Sequence, residues 1–125
     1  MENLSIIEEE DLLANSTAMG AKLNEKLHAL MDRHAIIGEV RGMGLFQGAE
    51  LVADRETREP LAEAKVQAVV ADCARQGVII GASNRSMPGL NNTLLFAPAL
   101  VATESDLDQI VAAVVSFTLS ILHFL

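Results

Sequence analysis

The feature that most restricts the fold of this chain is a strand-forming run that four glycines interrupt. The run covers residues 36–56 and has the sequence IIGEVRGMGLFQGAELVADRE. A glycine inside a helix costs about 1 kcal/mol relative to alanine, so four of them argue against a stable helix here. Valine, leucine and phenylalanine lie between the glycines, and valine and phenylalanine are enriched in strands. We therefore predict two strands, joined or bent at Gly42-Met43-Gly44.

An amphipathic helix is predicted before this run. Apolar residues recur at helical spacing from Leu12 to Met31, with polar residues elsewhere around the wheel. The pattern predicts one long helix that ends near Arg33. Ser5 and Glu8 have the spacing of a capping box at its beginning.

A second helix is predicted after the charged turn at residues 54–59. Pro60 suits its first turn, because the N–H that proline lacks has no helical partner there. Gly77 suits a left-handed cap at its end. Apolar side chains share one face of this helix, namely Val66, Val69, Val70 and Cys73. We interpret Cys73, which is the single cysteine, as a core residue.

Two short strands and a third helix complete the predicted fold. The strands are expected at residues 78–80 and 93–96. Thr103, with Asp106 three residues later, is expected to cap the last helix. The order of helix, two strands, helix, two strands and helix indicates an α+β fold, in which helices cover a small, mostly antiparallel sheet.

Charge and composition argue against several classes of function. The net charge of −8 disfavours binding to nucleic acid or anionic lipid, since both require clustered lysine and arginine. Residues 110–125 carry no formal charge, but they are fewer than the roughly 18 to 20 apolar residues of a membrane span. No basic signal peptide begins the chain, and a lone thiol fits a reducing compartment. We expect a cytoplasmic protein without a membrane partner.

Metal and nucleotide sites find little support in the sequence. His28, His34 and His123 lack the spacing of metal ligands and are expected at the surface, on or beside helices. The glycine turn continues into a strand, whereas a dinucleotide-binding turn opens a helix. The three lysines lie on polar helix faces, so none is expected to form a Schiff base: Lys22, Lys26 and Lys65.

The candidate binding residue is Arg85, in the polar loop SNRSMPGLNN between the last two predicted strands. The planar fork of a guanidinium matches a carboxylate with two hydrogen bonds. Asn84 and Asn92 can fix the loop backbone on either side of it. We predict that Arg85, Asn84 and Asn92 bind substrate. The alternative is that Arg85 is an ordinary surface arginine in a mobile loop.

Several motifs, in the right order, resemble the small C-terminal domain of class III aminotransferases, which are pyridoxal-phosphate enzymes of fold type I. Residues 40–44 match the family's valine-arginine-glycine-x-glycine turn, and residues 50–52 match its Glu-Leu-Val strand end. Residues 94–111 match its Pro-Pro-Leu segment, with Ala99 in place of the second proline. The resemblance covers nearly the whole chain and implies the fold of that small domain.

The resemblance also implies a domain organisation and a function. Residues 1–35 would be the helix that links the small domain to a large cofactor-binding domain, and residues 36–125 the α+β core. The full-length enzyme would move an amino group from an amine or ω-amino acid to a keto acid such as pyruvate. The large domain would supply the lysine that holds pyridoxal 5'-phosphate. The chain alone is expected to be inactive, to bind no cofactor, and to associate with that missing domain and with further copies of itself.

Within the family, the polar loop is similar to that of the ω-aminotransferases, which include amine:pyruvate, β-alanine:pyruvate and taurine:pyruvate enzymes. In that group an arginine of this loop meets the substrate carboxylate, and the resemblance gives this role to Arg85. It implies a structural turn for Arg41, Gly42 and Gly44. The alternative from a different class is a stand-alone regulatory α+β module that binds amino acids.

Overall fold

The computed structural model describes residues 2–85 and 87–122, with side chains through residue 117. His123 lies outside the described residues. The described part contains four helices and five strands. In chain order these are α1 (Glu2–Glu9), α2 (Leu12–Arg33), β1 (Ile37–Met43), β2 (Phe46–Asp54), β3 (Glu59–Pro60), α3 (Glu63–Arg75), β4 (Gly81–Ala82), β5 (Thr93–Phe96) and α4 (Glu104–Leu122).

The strands form one antiparallel sheet in the order β1-β2-β5-β4, and β3 pairs with β2 beside it. The predicted hairpin is confirmed, because β1 and β2 pair as neighbours down to Met43 and Phe46. Gly44 turns the chain with a φ of 55°, a conformation that glycine adopts at little cost. The α+β prediction is therefore confirmed.

The core lies between the sheet and the helices. α2 contributes Leu23 and Leu27, and β5 contributes Leu94 and Phe96, all with at most 2% of their surface exposed. Each such side chain stabilises the fold by about 1.5–3 kcal/mol relative to an exposed position. Cys73 is fully buried among them, as predicted, and this burial raises the pKa of its thiol.

The predicted long helix that ends near Arg33 is confirmed as α2, but its predicted start at Ser5 is wrong. The chain forms two helices, which Asp11 separates with a left-handed φ of 52°. Ser5 lies inside α1, so it does not cap a helix. The acidic residues 8–11 lie at the end of α1, where the negative pole of the helix disfavours carboxylates. Asp also tolerates the left-handed region better than most residues, which explains where the break falls.

Two further boundaries differ from the predictions. Pro60 lies in β3 and pairs with Val52, whereas α3 begins at Glu63. Proline is tolerated in a short edge strand because its missing N–H need not join the ladder. Residues 78–80 are not a strand. Gly77 ends α3 with a φ of 85°, as predicted, and the Val78 N–H still donates to the Cys73 carbonyl at 2.9 Å. Pairing with β5 begins only at Gly81, the first residue of β4.

Polar contacts fix the two long helices. Thr103 caps α4 as predicted, since the Asp106 N–H donates to Thr103 Oγ1 at 3.3 Å and the Thr103 N–H donates to Asp106 Oδ2 at 2.8 Å. Lys22 of α2 pairs with Glu104 of α4 at 2.9 Å. At the end of α2, Arg55 Nη2 donates to the carbonyls of Met31, His34 and Ile37.

The expectation of a surface position is wrong for His34. Only 8% of its surface is exposed, and its Nδ1 has no hydrogen-bond partner among the described residues. The chain leaves α2 at His34 in an extended conformation and enters the sheet at Ile37. This path carries the ring into the interior. His28 stays half-buried on α2, and its Nδ1 lies 2.9 Å from the Asn24 carbonyl.

Candidate functional site

The loop between β4 and β5 carries the three predicted substrate-binding residues. Its ends are fixed where the two strands meet. The Ser83 N–H donates to the Thr93 carbonyl at 2.9 Å, and the Thr93 N–H donates to Ser83 Oγ at 3.3 Å. The loop therefore leaves the sheet at a defined place.

Arg85 and Asn84 lie in the exposed part of this loop, and Arg85 occupies a bend. Within residues 2–85 and 87–117, no carboxylate forms an ion pair with Arg85. A guanidinium carries a positive charge and five N–H donors, which suit an anionic ligand. The structure brings Arg85 and Asn84 together, and the substrate role of both stays a prediction.

Asn92 is the last loop residue before β5 and is buried, unlike Arg85 and Asn84. Only 6% of its surface is exposed, and its Nδ2 donates to the Leu51 carbonyl at 2.6 Å. The Leu51 N–H donates in return to the Asn92 carbonyl at 2.7 Å. These bonds fix the last loop residue to β2. Asn92 thus fixes the loop backbone, as the sequence indicated, and its substrate role stays a prediction.

Glu63 contacts the β4–β5 loop, which the sequence did not predict. It lies in the first turn of α3, and its Oε1 accepts hydrogen bonds from the Gly89 N–H at 2.7 Å, Asn91 Nδ2 at 3.0 Å and the Asn91 N–H at 3.4 Å. The bond from the Gly89 backbone, followed by the bond from the Asn91 side chain, holds the pKa of Glu63 below its usual value. No local pattern links Glu63 to residues so far along the chain.

The predicted structural turn lies on the other side of β2. Arg41 Nη1 pairs with Glu39 Oε2 at 3.2 Å and with Glu50 Oε2 at 3.1 Å, and about half of the arginine side chain is exposed. Such surface pairs stabilise little by themselves. Arg41 thus connects β1 to Glu50 of β2. The structural role of Arg41, Gly42 and Gly44 stays a prediction.

A cleft of about 760 Å³ is lined by residues of this turn and of α2, which touch each other at Gly44 and Gly20. Gln47 forms its polar floor with 2% of its surface exposed, donating from Nε2 to the Gly44 carbonyl at 2.8 Å and accepting from Asn24 Nδ2 at 2.9 Å. Leu13 and Met43 line the cleft and are exposed. All of the lining residues are neutral, so the cleft lacks a charged group for chemistry and suits packing by further polypeptide.

The described residues contain neither a metal-binding cluster nor a membrane-spanning helix. No group of three or more histidine, cysteine or acidic side chains there could hold a metal ion. Within the same part of the chain, no helix combines the length and the hydropathy of a membrane span.

Comparison with known proteins identifies the family. The family model described as "Aminotransferase class-III" matches residues 1–117. The chain belongs to the class III aminotransferase family, as the motifs predicted. It is 67% identical over 110 residues to a taurine–pyruvate aminotransferase of Rhodobacter capsulatus, and 60% identical over 114 residues to a hypotaurine/taurine–pyruvate aminotransferase of Paracoccus denitrificans. These matches cover 88% and 91% of this chain, but only 24% and 25% of those proteins.

Solved structures give the same assignment. A Bacillus anthracis aminotransferase is 38% identical with a TM-score of 0.90, over 94% of this chain and 26% of that chain. An amine transaminase from an uncultivated Pseudomonas species, solved in its PLP-bound form, is 33% identical with a TM-score of 0.82, over 94% of this chain and 25% of that one. The chain thus spans about a quarter of the length of the relatives it matches. The stand-alone regulatory module is not favoured.

Proposed function

We propose that this chain is the small-domain part of an aminotransferase that moves an amino group from an ω-amino acid such as taurine to pyruvate. The observation that carries the proposal is the 67% identity to a taurine–pyruvate aminotransferase over 88% of the chain. Residues 1–35 would link this part to the large domain, through α1 and α2, and residues 36–125 would form the small-domain core.

The full-length enzyme would use pyridoxal 5'-phosphate, which supplies the electron-withdrawing ring for amino transfer. The family and the PLP-bound relative support this cofactor. The lysines of this chain do not fit such a site. Lys22 and Lys26 pair with acidic residues of α4, and Lys65 is exposed on α3. The cofactor lysine would therefore come from the rest of the enzyme, and this chain would contribute substrate recognition.

Arg85 would provide that recognition. Its guanidinium can donate two parallel hydrogen bonds to the carboxylate of pyruvate, and the same donors suit the sulfonate of taurine. A hydrogen bond to a charged group contributes about 1.5–3 kcal/mol, and more where the closing domains exclude water. The support in the structure is an exposed cation, without an ion pair among the residues that the structure describes, on a loop whose two ends are fixed to the sheet.

The large domain would cover the apolar rim of the cleft beside α2. Leu13 and Met43, which line the cleft, are 71% and 87% exposed, and Phe46, which pairs with Met43 across the hairpin, is 63% exposed. Exposed apolar side chains that lie together mark interaction surfaces. The cleft between them has the shape and the neutral lining for packing by another domain. Without that cover, copies of this chain would associate through the same rim.

The single buried thiol fits a reducing compartment, and the cytoplasm stays our proposed location.

Transamination by the full-length polypeptide tests the proposal. The gene that contains this chain is expressed whole, the product is loaded with pyridoxal 5'-phosphate, and taurine and pyruvate are added. We expect alanine and sulfoacetaldehyde in equal amounts, because one amino group leaves taurine for each pyruvate converted. A cofactor-loaded protein that forms alanine from neither taurine, β-alanine nor a simple amine would contradict the proposal.

A further inference from the structure

We propose that Glu63 is a positioning residue, which holds the loop that presents Arg85 to the substrate. This inference rests on the proposed function of Arg85. It starts from the three donors that meet one carboxylate oxygen: the N–H groups of Gly89 and Asn91 and the Nδ2 of Asn91. All three belong to the same loop as Arg85, on its C-terminal side.

The anchors divide the loop into a fixed part and a free part. The sheet holds Ser83 before Arg85, through Thr93, and β2 holds Asn92 through Leu51. Glu63 adds the anchor closest after Arg85 that the described residues show, at Gly89. The contact of Asn92 with β2 lies three residues further along the chain. Glu63 thus leaves fewer loop residues around Arg85 free to move. Fewer loop conformations mean a smaller loss of conformational entropy when substrate binds.

Glu63 is well placed to act as such an anchor. It lies in the first turn of α3, where the positive pole of the helix favours a carboxylate. Val66 and Cys73 bury the same helix in the core with no exposed surface, so the carboxylate is carried by a rigid element. Gly89 presents its N–H with a φ of 85°, which suits glycine, and the Leu90 N–H closes a turn on the Met87 carbonyl at 2.9 Å.

The test is a double-mutant cycle in the full-length enzyme, with Glu63→Ala, Arg85→Ala and the double variant. We expect Glu63→Ala to raise the KM for pyruvate by about tenfold, the change that corresponds to one hydrogen bond to a charged group, while kcat changes less. Glu63→Gln keeps one acceptor oxygen and should recover part of the loss. Glu56→Ala is the matched control, because Glu56 lies exposed in the turn before β3.

The cycle separates positioning from a merely structural role. If Glu63 acts through Arg85, the second substitution adds little once Arg85 is alanine. Equal effects of Glu63→Ala in both backgrounds, or a KM no higher than that of Glu56→Ala, would overturn the inference. If Arg85→Ala raises the KM but Glu63→Ala does not, only the positioning role fails. If Arg85→Ala has no effect, the role of Arg85 fails and the inference with it.

Hydrogen exchange of the same enzymes gives a readout that does not depend on turnover. The Gly89 amide should exchange faster in Glu63→Ala than in the unmodified enzyme, whereas the amides of α3 should be unchanged. Faster exchange throughout α3 would show a general loss of structure and would contradict a local anchor. Should the alanine variant fail to fold, Glu63→Gln serves for both measurements, with smaller shifts in the same direction.

Discussion

Gly20 of α2 lies directly against the carbonyl group of Gly44 in the β1–β2 turn. A Cβ atom at position 20 would lie 2.2 Å from Gly44 O and 2.7 Å from Gly44 Cα, closer than real Cβ contacts. The neighbouring Gln47 Nε2 donates to the same carbonyl at 2.8 Å. The absence of a side chain at Gly20 thus sets how closely α2 approaches the β1–β2 turn.

Replacement of Gly20 by alanine tests this approach. In an exposed helix the change would stabilise by about 1 kcal/mol, because alanine is the better helix former. Here we expect a destabilisation of roughly 1–3 kcal/mol, since the helix must move away from a backbone group. Urea unfolding followed by circular dichroism measures the difference. Ala29→Gly, at an exposed position of α2, calibrates helix propensity alone, and a stabilised Gly20→Ala would contradict the close contact.

Asn92→Ala should act mainly on stability. The substitution removes the bond from Nδ2 to the Leu51 carbonyl, which keeps its bond from the Leu61 N–H at 3.1 Å, so we expect a cost of about 0.5–1.5 kcal/mol. Asn84→Ala is the matched control, because Asn84 is exposed in the same loop and should change stability by less than about 0.5 kcal/mol. Similar unfolding midpoints for the two variants would contradict the structural role of Asn92.

Much of the fold was predictable because its determinants are local. The glycines and β-branched residues of residues 36–56 specified the hairpin, and Thr103 with Asp106 specified the start of α4. The left-handed break at Asp11 was missed because hydrophobic periodicity does not show how the acidic residues 8–11 disfavour continuation of α1. The strand expected at residues 78–80 failed because the cap at Gly77 overrode local β propensity.

The candidate site was predictable only in part, for a similar reason. Arg85 could be singled out because a lone cation in a polar loop is visible in the sequence. Its anchor could not, since Glu63 and Gly89 are separated by 26 positions and only the packing of α3 brings them together. The burial of Asn92 was hidden because nothing in its neighbours distinguishes a loop asparagine from one that pairs with β2.

The cap of α4 makes the chain sensitive to acid. Hydrogen bonds from the Thr103 N–H, the larger cause, and from its hydroxyl lower the pKa of Asp106 from its usual value of 3.8. A lowered pKa means that the contribution to stability is present above pH 3.8 and is lost as the pH falls through the folded-state pKa. We expect urea midpoints measured from pH 6 to pH 2.5 to fall less steeply for Asp106→Asn than for the unmodified chain.

Asp32→Asn is the control for loss of one negative charge, because Asp32 is exposed near the end of α2. It should follow the unmodified chain over the same pH range. The same dependence of the urea midpoint on pH for Asp106→Asn and the unmodified chain would contradict a stabilising contribution of the Asp106 carboxylate.

The apolar rim of the cleft should drive association of the chain by itself. Sedimentation velocity should show dimers or larger species, because Met43 and Phe46 lack the cover that we propose for the full-length enzyme. Replacing both with serine should shift the population towards monomer. Ile79→Ser removes a similarly exposed side chain beside a different cleft and should have little effect. A purely monomeric unmodified chain at high concentration would contradict association.

The most direct test of the central claim is the kinetics of Arg85→Ala in the full-length enzyme, with pyruvate as acceptor and an amine donor that has no acidic group. We expect the KM for pyruvate to rise at least about 10- to 100-fold, because each of the two charge-assisted hydrogen bonds contributes about 1.5–3 kcal/mol, while the KM for the amine changes little. Arg75→Ala, at an exposed position of α3, is the control for loss of a cation. Equal changes for pyruvate and the amine would contradict the claim that Arg85 binds the acidic group of the substrate.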